Sequence, residues 1–397
     1  MYPTGKCVRQ GFFAIAFILL VFQPSLAQSP QNIGKYPKLR FNGYLTMMPS
    51  AIYSSVQNRI TTNGLIHNRL NFGFLINEQW SVTAEVRNRV ITGAMVSEIP
   101  LFVDWLDNDP GLLDLSKTYS INHGSVVHTM SDRLFVELRT GQWNIRAGRQ
   151  RINWGINMIS NPNDLFNTYS FFDFDYVERP GADAMRIQYF VSGMSRLEFA
   201  AAPAKHIRNA TAALLYSWNT NGYDIQIIAG YYRNRLTVGG GWAGNIMQSG
   251  FKGEITLFND LQPNDTLHAF NAVAAVSFDH RFDNNIFAVV EFLYNGGYSR
   301  SADRGLLITD PLSADNIAFS RFGFTGSLMY PFSPIFTGSL ATIWYPDIET
   351  VFAMPHFTWS AITNLDLSVV VQIFHGNANT FFPGTGIAGY ASAKWSF

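Results

Sequence analysis

Over most of the chain, apolar and polar residues alternate one for one. Leu70, Phe72, Phe74 and Ile76 alternate with Asn71, Gly73 and Leu75, and Val82, Ala84, Val86 and Val90 with Thr83, Glu85, Arg87 and Arg89. Leu134, Val136 and Leu138 alternate in the same way with Arg133, Phe135, Glu137 and Arg139. A period of two marks a β-strand whose two faces meet different surroundings. Such strands are predicted at about eighteen places: 37–48, 64–76, 79–91, 131–140, 142–150, 182–191, 195–203, 207–219, 222–234, 239–247, 251–259, 266–280, 285–295, 317–330, 335–346, 350–361, 365–375 and 387–397. The glycine-rich 239–247 stretch fits least well, and losing one hairpin there would leave about sixteen. Short turns such as Asn77-Glu78, Thr140-Gly141-Gln142 and Thr363-Asn364 alternate with long stretches, notably Thr92 to Met130, Arg151 to Gly181 and Gly296 to Asn316. That rhythm is expected of a transmembrane barrel with short periplasmic turns and longer outer loops.

Composition sharpens this picture. Apolar residues make up 47% of the sequence and aromatics 15%, while charge is only 14%, against about a quarter in soluble domains. Beyond the amino-terminal region, no run of ~18 apolar residues offers a spanning helix. A closed antiparallel barrel is the other structure that satisfies every backbone group inside lipid. The all-β fold class, a transmembrane antiparallel β-barrel, follows. Lys plus Arg and Asp plus Glu both number 28, so no bulk basicity points to nucleic acid.

The ends of the chain agree. Lys6 and Arg9, the apolar run Phe12 to Phe22 and Ser25-Leu26-Ala27 read as a signal peptide over 1–27, with the barrel domain over 28–397. The single cysteine, Cys7, falls inside the removed segment, which leaves no disulfide or cysteine metal site to expect. At the other end Gly389, Ala391, Ala393, Trp395 and Phe397 share one face of a final strand. A terminal strand closing on an aromatic resembles the signature of outer-membrane barrel proteins, and that resemblance implies delivery by the barrel-assembly machinery.

The same alternation assigns the lumen. A charge on the lipid side at mid-bilayer costs about 2–4 kcal/mol for Arg or Lys. Arg69, Arg87, Arg89, Glu85, Glu137, Arg139, Arg146, Arg186, Arg196 and Arg321 are therefore expected to line the pore, along with Glu198, Lys252, Glu254 and Glu291. Inward arginines could favour anions or could cross-link neighbouring strands through Arg–Glu pairs, and both readings stand. A barrel of sixteen to eighteen strands is too wide for side chains alone to fill. Its channel is expected to be narrowed by the connection at 151–181, whose aromatics make it unlike a loose outer loop. In that reading Trp154 and Phe171 to Tyr176 pack on the wall, and Arg149, Arg151, Asp164, Asp173, Asp175 and Arg179 line the opening. A loop merely covering the rim is the alternative.

The run from Gly148 through Tyr189, with its GRQ, NWG, NPNDLFN and RPGADAMRIQY elements, resembles the strand-loop-strand region of Gram-negative outer-membrane porins without an assigned cargo. Cleavage before Gln28 is also similar to Bacteroidetes envelope proteins. The resemblance implies a porin-like barrel in the cell outer membrane, in contact with outer-membrane lipid, and is silent on substrate. Passive diffusion of small hydrophilic solutes is expected from the width of the barrel, a preference for anionic ones only from the inward arginines, and assembly into a homotrimer is left open.

Other functions weigh less. His123, Ser125 and His128 lie near one another, but serine hydrolysis needs nucleophile, base and orienting group in contact, and no nucleophile elbow is present. No catalysis, metal or cofactor is therefore expected. A role in binding a surface polymer or a partner protein rests on the apolar Leu101-Phe102-Val103 and Trp105-Leu106 of the first long loop. The mature protein should begin at Gln28, and an intact mass retaining the first 27 residues would remove the signal-peptide reading.

Overall fold

In the computed structural model the described residues are 36–109, 111–168, 178–262, 270–298, 312–377 and 383–397. The proposed signal segment lies outside them. The first half of the chain forms β1 (Lys38–Ser54), β2 (Arg59–Leu75), β3 (Trp80–Gly93), β4 (Ser116–Asn122), β5 (Ser125–Thr140), β6 (Trp143–Gln150), β7 (Ala182–Ser192), β8 (Ser195–Ala202) and β9 (Thr211–Thr220). The second half forms β10 (Tyr223–Tyr232), β11 (Arg235–Ile246), β12 (Ser249–Asp260), β13 (Phe270–Arg281), β14 (Phe287–Asn295), β15 (Phe322–Ser333), β16 (Phe336–Tyr345), β17 (Thr350–Ile362), β18 (Leu365–Gly376) and β19 (Gly384–Ser396).

Each strand pairs antiparallel with its successor, and β19 returns to β1, with Tyr44 opposite Ser396 and Ser54 opposite Gly386. Only β4 stands apart from the ring: it pairs with the upper part of β5, whose other edge belongs to β3. The remaining strands make a closed barrel of eighteen, as the alternation predicts, and the 239–247 stretch is part of a full strand, β11. Among the described residues no helix is long and apolar enough to cross a membrane.

The register sends the apolar series outward. Phe72, Phe74, Leu134, Val136, Ile255 and Val290 are all exposed on the barrel exterior, while Arg69 and Arg87 on the opposite face are 1% and 3% exposed. Aromatics gather at both edges of this belt: Trp143 lies on Tyr189 at 4.7 Å near the short turns, and Trp344 on Phe324 at 5.4 Å near the long loops. Two other aromatics of the wall point inward. Tyr44 points inward and donates to Glu178 at 3.0 Å, and Phe374 packs inside against Phe352 at 4.7 Å.

Three departures from the alternation pattern have local causes. β1 and β2 run well past the expected ends at 48 and 64, because beyond the membrane a hairpin needs no apolar face to stay paired. The Thr92–Met130 interval contains the helices α1 (Ala94–Glu98) and α2 (Phe102–Leu106), β4 and the beginning of β5 rather than a bare loop. A register shift between Glu85 and Val86 also places Arg133 opposite Glu85 and Ser131 opposite Val86. This bulge turns Asp132 into the barrel beside Arg133, at 0% and 7% exposure.

Val290 stands in mid-strand on the exterior with 57% of its surface exposed. Val290→Arg should lower stability by about 2–4 kcal/mol in urea titrations of the vesicle-folded barrel. A loss under about 1 kcal/mol would contradict the lipid-facing register.

Candidate functional site

The connection after β6 enters the lumen. Its backbone is irregular, so where it packs against the wall its buried N–H groups need acceptors from the protein. The barrel wall provides them. Glu254 on β12 accepts from the backbone N–H of Ile156, of Asn157 at 2.7 Å and of Asn163 at 2.8 Å. Glu291 on β14 accepts from the N–H of Ile159 at 3.0 Å, of Ser160 at 2.9 Å and from the Asn157 amide at 3.0 Å. Hydrogen bonds to a charged group are each worth about 1.5–3 kcal/mol, so two wall carboxylates hold a segment that makes no strand of its own.

Further contacts extend this seam along the wall. Trp154 is 1% exposed, and its indole N–H donates to Glu198 on β8 at 2.8 Å. Gln226 on β10 donates to the Trp154 carbonyl at 2.6 Å, and Thr256 on β12 to the Pro162 carbonyl at 2.9 Å. Asn163 donates to the Gly240 carbonyl at 3.0 Å. A Cβ at Gly239 would stand 2.7 Å from the Asn163 side chain, so the glycine run of β11 makes room for it. Ile152, Trp154 and Leu165 complete an apolar cluster with Ala200, Ala213, Leu215 and Ile228 of the wall. Asn167 joins the loop ends, accepting from the Ile152 N–H at 2.7 Å and donating to Pro180 at 2.9 Å.

Of the residues expected at the opening, Trp154 is on the wall, and Arg151, half-buried, donates to Asn153 at 3.2 Å. Arg179 takes a left-handed φ of 60° and its carbonyl accepts from Arg133 at 2.9 Å. Asp173 and Asp175, with the Phe171 to Tyr176 aromatics, lie outside the described residues. Arg149 does not line the lumen. It stands opposite the outward Leu134 on one side and Asp183 on the other, and is enclosed on the outer face by Asp183 at 2.7 Å and Asp109 at 2.6 Å. Period two alone would send Arg149 outward as well; the GRQ run drew attention to it for another reason.

The expected pore-lining arginines form two inward groups. Arg69 and Arg87 oppose each other across β2 and β3, and Arg89 bonds His128 at 2.9 Å. Arg69 is compensated by Asp132, Glu85 and, at 4.0 Å, Glu178. In the second group, Arg146 and Arg186 oppose each other across β6 and β7. Glu137 meets Arg146 at 2.6 Å and Arg139 at 2.9 Å, while Glu198 lies 3.4 Å from Arg196 and 3.9 Å from Arg186. Like charges directly opposite destabilise a ladder, and the interleaved carboxylates offset that. Arg321 lies apart, exposed at the long-loop rim just before β15. Sequence reasoning missed Asp109, Asp132 and Asp183: a folded outer loop brings Asp109 to Arg149, a bulge turns Asp132 inward, and Asp183 meets Arg149 through the pairing of β7 with β6, none of which leaves a periodic signal.

A closed barrel of eighteen strands with an apolar belt and a connection pinned inside its lumen is a membrane-spanning barrel of the outer-membrane class. Solved structures share the fold. OpdQ from Pseudomonas aeruginosa aligns over 90% of this chain and 98% of its own, with TM-score 0.56 and 7% identity. OccAB3 from Acinetobacter baumannii aligns over 90% and 99%, with TM-score 0.55 and 10% identity. The outer membrane protein OprD from Pseudomonas aeruginosa aligns over 90% and 93%, with TM-score 0.53 and 7% identity. At such identities the likeness is one of fold. No protein-family model and no curated protein matches the chain.

Asp164 belongs to the inserted loop and is 1% exposed. Burial pushes its carboxyl up from 3.8 to about 7, against the pull of Arg151 and Arg179. The docked loop thus keeps a proton that the unfolded chain releases, so this contribution to stability is fully present below 3.8 and lost as pH rises to about 7. Unfolding midpoints measured at about pH 5 and about pH 8 should fall with pH in the wild type, and Asp164→Asn should flatten the slope.

Proposed function

We propose that this chain is an outer-membrane channel for passive diffusion of small hydrophilic solutes, with the connection at 151–181 as its constriction and a preference for anions. The observation supporting this most directly is the pinning of residues 156–163 to Glu254 and Glu291 inside the barrel. A loop covering only the rim would have no use for two wall carboxylates at that depth. The preference for anions rests on the inward arginines. Arg139 and Arg196, next to short turns, keep side chains 63% and 37% exposed, and each shares its carboxylate, Glu137 or Glu198, with a second arginine. A residual positive potential at that mouth follows. Delivery by the barrel-assembly machinery after removal of residues 1–27 belongs to the same proposal.

A second reading, as a surface anchor for a polymer or partner protein, draws on the exposed Leu101, Trp105 and Leu113 of the first long loop. Liposome swelling with graded sugars separates the two, since an anchor needs no permeation.

In planar bilayers the wild type should give discrete conductance steps, and removing residues 156–176 should enlarge them. Unchanged steps would refute the constriction. A reversal potential favouring cations would remove the anion preference.

A further inference from the structure

At the long-loop rim, away from the inserted loop, three arginines converge on one cleft of about 260 Å³. Arg208 comes from the single 3-10 turn Ile207–Asn209 ahead of β9, Arg233 from the two-residue turn joining β10 to β11, and Arg235 from the first position of β11. The carboxylates at this cleft are already engaged. Asp315 pairs with Arg235, and Asp260 lies 3.9 Å from Arg235 while accepting from the Gln262 N–H at 3.0 Å. Among the described residues, Arg208 and Arg233 have no acidic partner. On the barrel wall Arg69, Arg146 and Arg149 instead meet carboxylates.

Arg233 is also an unusual residue for its place. It and Asn234 have φ of 45° and 67°, the left-handed pair of a tight hairpin turn in which Gly or Asn is favoured and a residue with a long side chain is strained. The guanidinium lies over the Tyr232 ring at 5.3 Å. Tyr232 points into the barrel, 1% exposed, and its hydroxyl accepts from the Ala314 N–H at 3.1 Å. The stack sets Arg233 over an inward-pointing ring, on the opposite side of the wall from the exposed Leu236 and Val238, and Arg233 lines the cleft.

We propose that this cleft binds a phosphate-type anion, as inorganic phosphate or the phosphate of a small ester, between Arg208 and Arg233. A guanidinium presents paired N–H donors to two oxygens of a tetrahedral anion. Three arginines against Asp260 and Asp315 leave the cleft one net positive charge, and it falls on Arg208 and Arg233, which have no acidic partner among the described residues. The ligand is a dissolved solute, because the arginines face the mouth and the belt lies on the other side of the wall. The site goes beyond the channel reading and stands whether or not the barrel conducts.

The test is calorimetric titration of the detergent-purified mature protein with inorganic phosphate at low salt. Wild type should saturate at one site, and Arg208→Gln with Arg233→Asn should weaken binding at least tenfold. Asn suits the turn, so the double variant should keep its barrel, checked by far-ultraviolet dichroism. Arg281→Gln, at the opposite rim, should bind as wild type. Absence of saturable binding in wild type, or undiminished affinity in the double variant, would overturn the site. Displacement of phosphate by vesicles containing phosphatidic acid would overturn its assignment to a dissolved solute.

Discussion

Inside a bilayer a backbone N–H or C=O has no water to turn to, and every other feature of this protein answers to that constraint. A strand in lipid must be paired along both edges, and an open sheet would leave two edges bare. The pairing of β19 with β1 removes them. Once the ring is closed, the two faces of each strand are committed to oil and to the interior, and the one-for-one alternation becomes an obligation. β4, which has one free edge, stands outside the ring on the long-loop side.

The same constraint reappears within the lumen. Where the irregular connection is buried against the wall its amides need protein acceptors, and residues 156–163 are anchored because Glu254 and Glu291 accept several N–H groups each. Burying a carboxylate without partners would be costly. Here each charge organises backbone that would otherwise be orphaned. The apolar cluster around Trp154 and Leu165 adds packing to the seam, and the glycines of β11 lower the wall where Asn163 must approach. The loop is thereby a built part of the interior.

Arginine serves different ends according to its neighbours. Arg69 is compensated by carboxylates on three segments and ties β2 to β3, β5 and the return of the inserted connection. Arg149 does similar work on the outside, clasping Asp109 of the first long loop to the wall. Arg208 and Arg233 lack such compensation among the described residues and face solvent at a mouth. A count of inward or outward charges would treat these as alike, although their chemistry differs.

Eighteen strands, their approximate bounds and the inward face were legible in the sequence, because a period of two is local: each residue's face follows from its neighbours in the chain. The inserted connection was legible as an anomaly, through its length and its aromatics. Other assignments depended on residues far apart in the chain. Glu254 lies more than ninety positions from the amides it receives, the bulge beside Glu85 turned Asp132 inward, and a folded outer loop enclosed Arg149. The pattern by itself determined which way strands face, since that is dictated by oil against water one residue at a time. Only the closed ring decided which charges meet, because hydrogen bonds and ion pairs form between atoms that the curvature of the barrel, and not the order of the chain, brings within reach.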